Sequence, residues 1–281
     1  MIEAGRGPLL TADTHALMMQ ALHRGAAHCE CSLDLGLSVR AVGLTPQGFS
    51  WSDAHYPWPA VLKDRTIYHW DGSGFAPVSV YAGSLIKLVP TPWGAPTFEI
   101  DGVKMLPTSK ESPFEDARRK VELVGVCERR VLDTCGGLGY FAAWCRRLGA
   151  RRVLCCEKSS AVLWLRALNP WSPAPDEVLE VRNVAIERHI GSLADASFDA
   201  ILHDPPRFGI AGELYAGTFY EQLARVLRPG GTLFHYTGSP NKLTSGRDVA
   251  GEVLRRLQHS GFQAHRALDG VLARSVLKSI R

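Results

Sequence analysis

The rhythm of apolar and polar positions changes near residue 110. From Ala27 to Thr108 the runs are short and alternating, as in Ser38-Val39-Arg40-Ala41-Val42, Val78-Ser79-Val80-Tyr81 and Thr97-Phe98-Glu99-Ile100. Asp71-Gly72, Asp101-Gly102 and several prolines break them up. Period-two alternation marks half-buried strands, so this part predicts antiparallel β structure. After Pro113 a helical stretch, Phe114 to Gly125, leads into apolar runs that alternate with helical patterns, which predicts a parallel sheet covered on both faces. The predicted strands are Arg130 to Asp133, Arg152 to Cys156, Val178 to Val181, Ala200 to His203 and Thr232 to Tyr236, with Gln263 to Ala267 and Gly270 to Ser275 closing the sheet. Helices are expected at Tyr140 to Leu148, Ala161 to Leu168, Leu214 to Leu227 and Val249 to Ser260. The expected organisation is a small β-rich domain over residues 1–110 followed by an α/β domain over 111–281.

Composition narrows the setting. A chain of 281 residues, 46% hydrophobic and 21% charged, can bury a full core. The formal charge of +4 is too mild to demand a nucleic-acid or membrane partner. Glu3, Arg6, Asp13 and His15 interrupt the apolar residues of the first twenty positions, which argues against a signal peptide, and no run reaches the length of a membrane span. Seven cysteines, with Cys155 and Cys156 adjacent in a strand-like run, suit a reducing cytoplasm.

Three segments carry chemistry. Arg130 to Phe141 is a strand entering a glycine-rich turn, Cys135-Gly136-Gly137-Leu138-Gly139, that opens a helix; such a turn brings backbone amides close to a ligand, or simply makes a tight strand-to-helix connection. About 20 residues on, the apolar strand Val153-Leu154-Cys155-Cys156 ends in Glu157, an acid placed to accept both hydroxyls of a ribose or to cap the next helix. The third segment, Ser197 to Phe208, is a strand ending in Asp204-Pro205-Pro206-Arg207.

Together with Arg225 to Leu233, these segments resemble, in order and spacing, the class I S-adenosylmethionine-dependent methyltransferase superfamily over about 165 residues. The resemblance implies a Rossmann-like fold with a mostly parallel seven-stranded sheet, and S-adenosylmethionine as cofactor. It implies cofactor contacts at Asp133, Cys135, Gly136, Gly137, Gly139, Glu157, Asn183 and Asp204. It further implies a catalytic or acceptor-facing role for His203, Asp204, Pro205, Pro206, Arg207 and Phe208, with Tyr215, Tyr220 and His235 nearby. The chain departs from the common pattern at Cys135, where a glycine is usual, and at Asn183 to Ala185, where many relatives carry an acid for adenine. The closest likeness is to a poorly characterised, mainly archaeal group of predicted methyltransferases with an Asp-Pro-Pro-Arg loop.

The acceptor is left open. Arg207 replaces the aromatic residue that often follows the two prolines in base-methylating enzymes, which disfavours an RNA base; it suits a carboxylate or phosphate, or an ordinary surface ion pair. The segments Phe98 to Val103, Pro113 to Glu122 and Gly212 to Tyr220 have the layout of spermidine synthases, so aminopropyl transfer is the alternative. The loop, however, lacks their second acid, and Arg207 would repel a polyamine. The expected activity is methyl transfer to a nitrogen or oxygen of a small molecule or macromolecule. His203 and His235 are either bases or core histidines. Arg118, Arg119 and Lys120 share a helix with Glu115, Asp116 and Glu122 and read as a solvated, salt-bridged face. His28, Cys29 and Cys31 do not complete a metal site, and Trp51, Trp58, Trp70 and Trp93 either line a cleft or pack the β domain. No motif specifies an oligomeric state.

Overall fold

The computed structural model describes residues 7–238 and 248–276. Glu3 and Arg6, cited above against a leader segment, lie outside the described residues. Two compact units divide the chain: residues 7–114 with Trp164–Trp171, and Glu115–Leu163 with the described residues from Ser172 onward.

In the first unit, β1 (Leu9–Leu10) precedes helix α1 (Ala12–His23). There follow β2 (His28–Cys31), β3 (Arg40–Thr45), β4 (Gly48–Trp51) and β5 (Ala54–Pro57), which form an antiparallel sheet in chain order. β6 (Tyr68–Trp70) and β7 (Phe75–Pro77) pair beside β1, and β8 (Ser79–Tyr81), β9 (Leu85–Val89), β10 (Thr97–Ile100) and β11 (Val103–Lys104) make a third antiparallel sheet. The alternation predicted from sequence is thus realised as three small sheets. Helix α1 was not expected; Thr11 caps it by accepting from the Thr14 amide, and Met18 is its buried residue. Trp51, Trp58 and Trp70 pack against a core of Leu10, Met18, Val42, Phe49 and Tyr56, whereas Trp93 is exposed. On β2, Cys29 and Cys31 face that core while His28 points to the opposite side, so the three do not converge on a metal.

Helix α2 (Pro113–Val124) leads into the second unit. Its seven-stranded sheet is built from β12 (Arg130–Asp133), β13 (Arg152–Cys156), β14 (Leu179–Arg182), β15 (Phe198–His203), β16 (Leu227–Tyr236), β17 (Phe262–Ala267) and β18 (Gly270–Ser275). The order is β14-β13-β12-β15-β16-β18-β17, with β18 antiparallel to both its neighbours and the others parallel. Strands buried on both faces read as unbroken apolar runs, which is why Val131-Leu132 and Val153 to Cys156 were legible. Helices α3 (Tyr140–Arg147), α5 (Ile186–His189), α6 (Gly217–Val226) and α7 (Val249–His259) complete the unit's connections, together with the start of α4 (Ser160–Leu168), whose residues from Trp164 on are assigned to the first unit.

Several predicted elements differ in detail: β15 begins at Phe198 rather than Ala200, and β16 at Leu227 rather than Thr232. β14 lies one residue later than expected. The helix expected over Leu214 to Leu227 is interrupted at Ala216, whose extended backbone (φ −73°, ψ 146°) separates a 3-10 turn, Gly212–Tyr215, from α6. Strand order reverses between β12 and β15, and at such a switch point the carboxyl ends of the strands open a crevice in which ligands of α/β sheets bind. No helix among the described residues is long and apolar enough to cross a membrane, and all seven cysteines are free thiols.

Candidate functional site

The glycine turn sits at the carboxyl end of β12. Its Gly136 amide donates to the Cys156 carbonyl at 2.8 Å, tying the turn to the end of β13. Gly137 and Gly139 have φ of 48° and 80°, backbone that favours glycine, and Gly139 opens α3 directly. Glu157 follows β13, with one carboxylate oxygen accepting the Gly137 amide at 2.9 Å and the other accepting the Ser159 amide at 2.8 Å. Two backbone donors therefore fix this carboxylate against the turn. Asn183 is exposed; its side-chain nitrogen donates to the carbonyls of Glu157 (2.8 Å) and Lys158 (3.1 Å), so its carbonyl oxygen is the end directed away from that backbone. Asp133 is fully buried and accepts from the Cys155 thiol at 3.2 Å, and Cys135 is half-buried, its thiol raised well above the usual range by burial and by Glu157.

Asp204 stands at the carboxyl end of β15, across the switch point. Its side chain makes no hydrogen bond or ion pair among the described residues. Burial pushes its carboxyl up to about 7, against the pull of the Lys120 ammonium and with the help of Asp116, Asp269 and Asp133. A carboxyl in that range takes up and releases a proton near neutrality.

Lys120 is 1% exposed, a correction to the solvated face expected for α2. Its ammonium lies 2.6 Å from Asp116 and 3.1 Å from Asp269, and 4.5 Å from the centre of the Tyr236 ring. Desolvation alone would lower its pKa, but Asp204, Asp116 and Asp269 raise it above the ordinary lysine value. The residue occupies the apolar stripe Ala117, Lys120, Val121, Val124, spaced i, i+3, i+4, i+7, and that spacing was the available signal. Arg118, by contrast, pairs with Glu115 and Glu122 on the partly exposed side, as the charge pattern implied.

The remaining expected residues divide between core and surface. His203 is fully buried: its Nε2 donates to the Leu214 carbonyl at 3.1 Å, so Nδ1 accepts from the Thr134 hydroxyl at 2.7 Å, and burial pushes the ring down to about 4. His235 is also fully buried, its Nδ1 donating to the Tyr236 carbonyl at 2.7 Å and its Nε2 accepting from the Tyr220 hydroxyl at 2.8 Å. Tyr215 is 2% exposed and donates to the Pro206 carbonyl at 3.1 Å, bracing the loop from beneath, with Phe208 edge-on to its ring. Pro205 is buried and Pro206 half-buried, whereas Arg207 is exposed and forms no ion pair among the described residues. Of the named candidates, Gly136, Gly137, Gly139, Glu157 and Asp204 stand at or just beyond the carboxyl ends of β12, β13 and β15, whereas His203, Tyr215, Tyr220 and His235 form a packed aromatic layer in the core.

No protein-family profile matches the chain. The uncharacterized protein MJ1233 of Methanocaldococcus jannaschii is 42% identical over 209 residues, spanning 72% of this chain and 70% of that protein. Among solved structures, a spermidine synthase in complex with the transition-state analogue AdoDATO aligns with a TM-score of 0.56 at 16% identity, covering 72% of this chain and 74% of the other. The spermidine synthase of Thermotoga maritima gives 0.53 at 16% identity, over 70% and 71% of the two chains. At such identities the likeness is one of fold, the Rossmann-like class I methyltransferase fold with a mostly parallel sheet. The sequence match is of a different order, and the chain belongs to the family of the Methanocaldococcus jannaschii protein MJ1233.

Proposed function

We propose that the protein transfers a methyl group from S-adenosylmethionine to a nitrogen or oxygen nucleophile. The observation that carries this reading is the placement, on either side of the switch point, of the Glu157 carboxylate fixed against the Gly137 amide and of the Asp204 carboxyl, which makes no hydrogen bond or ion pair among the described residues. The donor set fits the cofactor: two fixed carboxylate oxygens suit two ribose hydroxyls, and the glycine turn admits the methionine portion. Bound there, the cofactor would supply a methyl group already activated by its sulfonium. Gly136, Gly137 and Gly139 would line it, Asp133 and Cys135 would support the turn, and Asn183 would offer its carbonyl oxygen toward adenine.

The protein's own work is positioning and proton handling. Asp204 would face the acceptor and receive its proton, with Pro205 and Pro206 stiffening the loop and Arg207 and Phe208 at its outer edge. His203, held neutral with both ring nitrogens engaged, would orient the loop through Leu214, and Tyr215 would do so through Pro206. Tyr220 and His235 would support this layer.

Aminopropyl transfer from the decarboxylated cofactor is the second reading, favoured by Asp116 and Asp269. From outside the loop they add carboxylates near Asp204, and Arg207 is exposed rather than set among them. A label-transfer assay separates the two: the protein is incubated with cofactor tritiated in the methyl group, or with decarboxylated cofactor labelled in the aminopropyl chain, and a panel of small amines, carboxylates and total RNA. Methyl label appearing in an acceptor supports the proposal. Aminopropyl label alone would replace it with the second reading, and methyl label confined to RNA would place the acceptor among nucleic acids.

A further inference from the structure

An ammonium with 1% exposure is expensive to bury, and two acids hold this one. Asp116 comes from one turn earlier on α2. Asp269 comes from the two-residue turn between β17 and β18, where Leu268 has a left-handed φ of 50° and the Asp269 carbonyl accepts from both the amide and the hydroxyl of Thr237, each at 3.2 Å. The second oxygen of Asp269, Oδ1, is buried without a hydrogen-bond partner among the described residues. A turn strained at a non-glycine position is pinned to the end of β16 and delivers an acid to a lysine that Asp116 already satisfies. Packing of α2 alone does not call for that arrangement.

Asp204 is the charge this cluster surrounds without touching. His203 pairs with His235 across β15 and β16, so Asp204 and Tyr236 follow side by side at the strand ends, and the Lys120 ammonium lies 4.5 Å from the centre of the Tyr236 ring. The charged and titratable groups that influence Asp204 are Lys120 and Asp116 from α2, Asp133 from β12, Cys135 from the glycine turn, Tyr215 from the 3-10 turn, Tyr236 from β16 and Asp269 from the β17–β18 turn. Among these only Lys120 carries positive charge; every other is an acid or a neutral hydroxyl or thiol. The two acids in contact with Lys120 keep its proton in place, so its charge is constant across the range in which Asp204 titrates.

We infer that Lys120 is a positioning residue: clamped by Asp116 and Asp269 against the face of the Tyr236 ring, it favours the ionised form of Asp204 that receives the proton of the acceptor. The inference rests on the reading of Asp204 as the group that meets the acceptor. In that step a bond forms between the acceptor nitrogen or oxygen and the transferred carbon, the carbon–sulfur bond breaks with its electron pair returning to sulfur, and the acceptor's proton passes to Asp204. Lys120 keeps its own proton throughout.

The test is the titration of Asp204 by carboxyl NMR on aspartate-labelled protein, its resonance assigned through Asp204→Asn. In Lys120→Met the Asp204 midpoint should rise by about one pH unit or more, the usual influence of an opposite charge at close range, while Lys120→Arg should leave it nearly in place. An unchanged midpoint in folded Lys120→Met, or a shift in Lys120→Arg as large as that in Lys120→Met, would overturn the inference. Should Lys120→Met fail to fold by circular dichroism, the wild-type side-chain nitrogen resonance of Lys120 decides: a step at the Asp204 midpoint supports the coupling, and a flat resonance defeats it. Binding of S-adenosylhomocysteine to the wild type is read separately, so loss of the cofactor reading and loss of the Lys120–Asp204 coupling are distinguishable results.

Discussion

Lys120 and Asp116 are one helical turn apart on α2, 2.6 Å from nitrogen to oxygen, and Lys120 is 1% exposed. A buried ion pair adds little net stability, but removing one partner is costly because it leaves the other charge uncompensated. Here the loss of the lysine removes the cation held by Asp269 and the nearer cation of Asp116, whose contact with Arg119 is longer, 3.8 Å. Lys120→Met should therefore lower unfolding free energy by about 3–5 kcal/mol at neutral pH, with part regained near pH 5 as the carboxylates protonate. Urea unfolding at the two pH values measures both effects; equal losses at both would contradict the charge account.

Asp204 gives a pH dependence of opposite sign to that of an ordinary salt-bridged aspartate. Its folded pKa is raised to about 7, so the folded chain holds a proton that an unfolded chain releases at about 4. Stability from this group is present below about pH 4 and is lost as pH rises toward 7. Asp204→Asn should unfold at a higher temperature than the wild type at pH 8, by roughly 2–4 °C for each kcal/mol recovered, with the difference shrinking toward pH 4. Calorimetric scans of the two proteins across that range check it. A variant less stable than the wild type at pH 8 would show that Asp204 is not held under electrostatic strain.

The hydrogen bond of 2.8 Å between the Tyr220 hydroxyl and His235 Nε2 lies wholly inside the core, between α6 and β16. Tyr220→Phe leaves His235 Nε2 buried without its donor and should cost about 1–3 kcal/mol in stability. Affinity for S-adenosylhomocysteine should change by less than about twofold, because both rings are fully buried in the core. Chemical denaturation and titration of the variant measure the two quantities, and a large loss of affinity would return this pair to the binding site.

Gly139 is the left-handed residue from which α3 starts, with φ of 80° and ψ of 23°. Any side chain there carries strain, so Gly139→Ala should destabilise by about 1–2 kcal/mol. It should also weaken cofactor affinity, since the strained turn relaxes away from the geometry that presents its amides. Urea unfolding and calorimetric binding of the variant check both.

Legibility in the sequence followed burial and distance along the chain. The central strands of the second unit could be read because both their faces are covered, leaving runs such as Val153 to Cys156 with no polar interruption. Glu157 and Asp204 could be read because each stands directly at a strand end. Helix α1 was missed because its buried face is thin, with Met18 its buried residue among polar and half-buried neighbours. Lys120 was misread because its sign suggested solvent while its position on the Ala117, Val121, Val124 stripe pointed inward. Asp269 had no local signal: a hairpin turn 65 residues beyond Asp204 brings it to Lys120, and only tertiary structure reveals that. His203, Tyr215, Tyr220 and His235 were noticed as chemical groups, yet their place in one packed layer depends on pairings between β15, β16, the 3-10 turn and α6 that no single segment encodes.

The central claim is that the crevice above the glycine turn binds S-adenosylmethionine through Glu157. Calorimetric titration of the wild type and Glu157→Ala with S-adenosylmethionine and S-adenosylhomocysteine tests it most directly. The account predicts micromolar binding of both ligands to the wild type and a loss of roughly 10- to 100-fold in Glu157→Ala, the cost of removing charged hydrogen bonds to the ribose. No heat of binding with either ligand, or equal affinity in the variant, would contradict it.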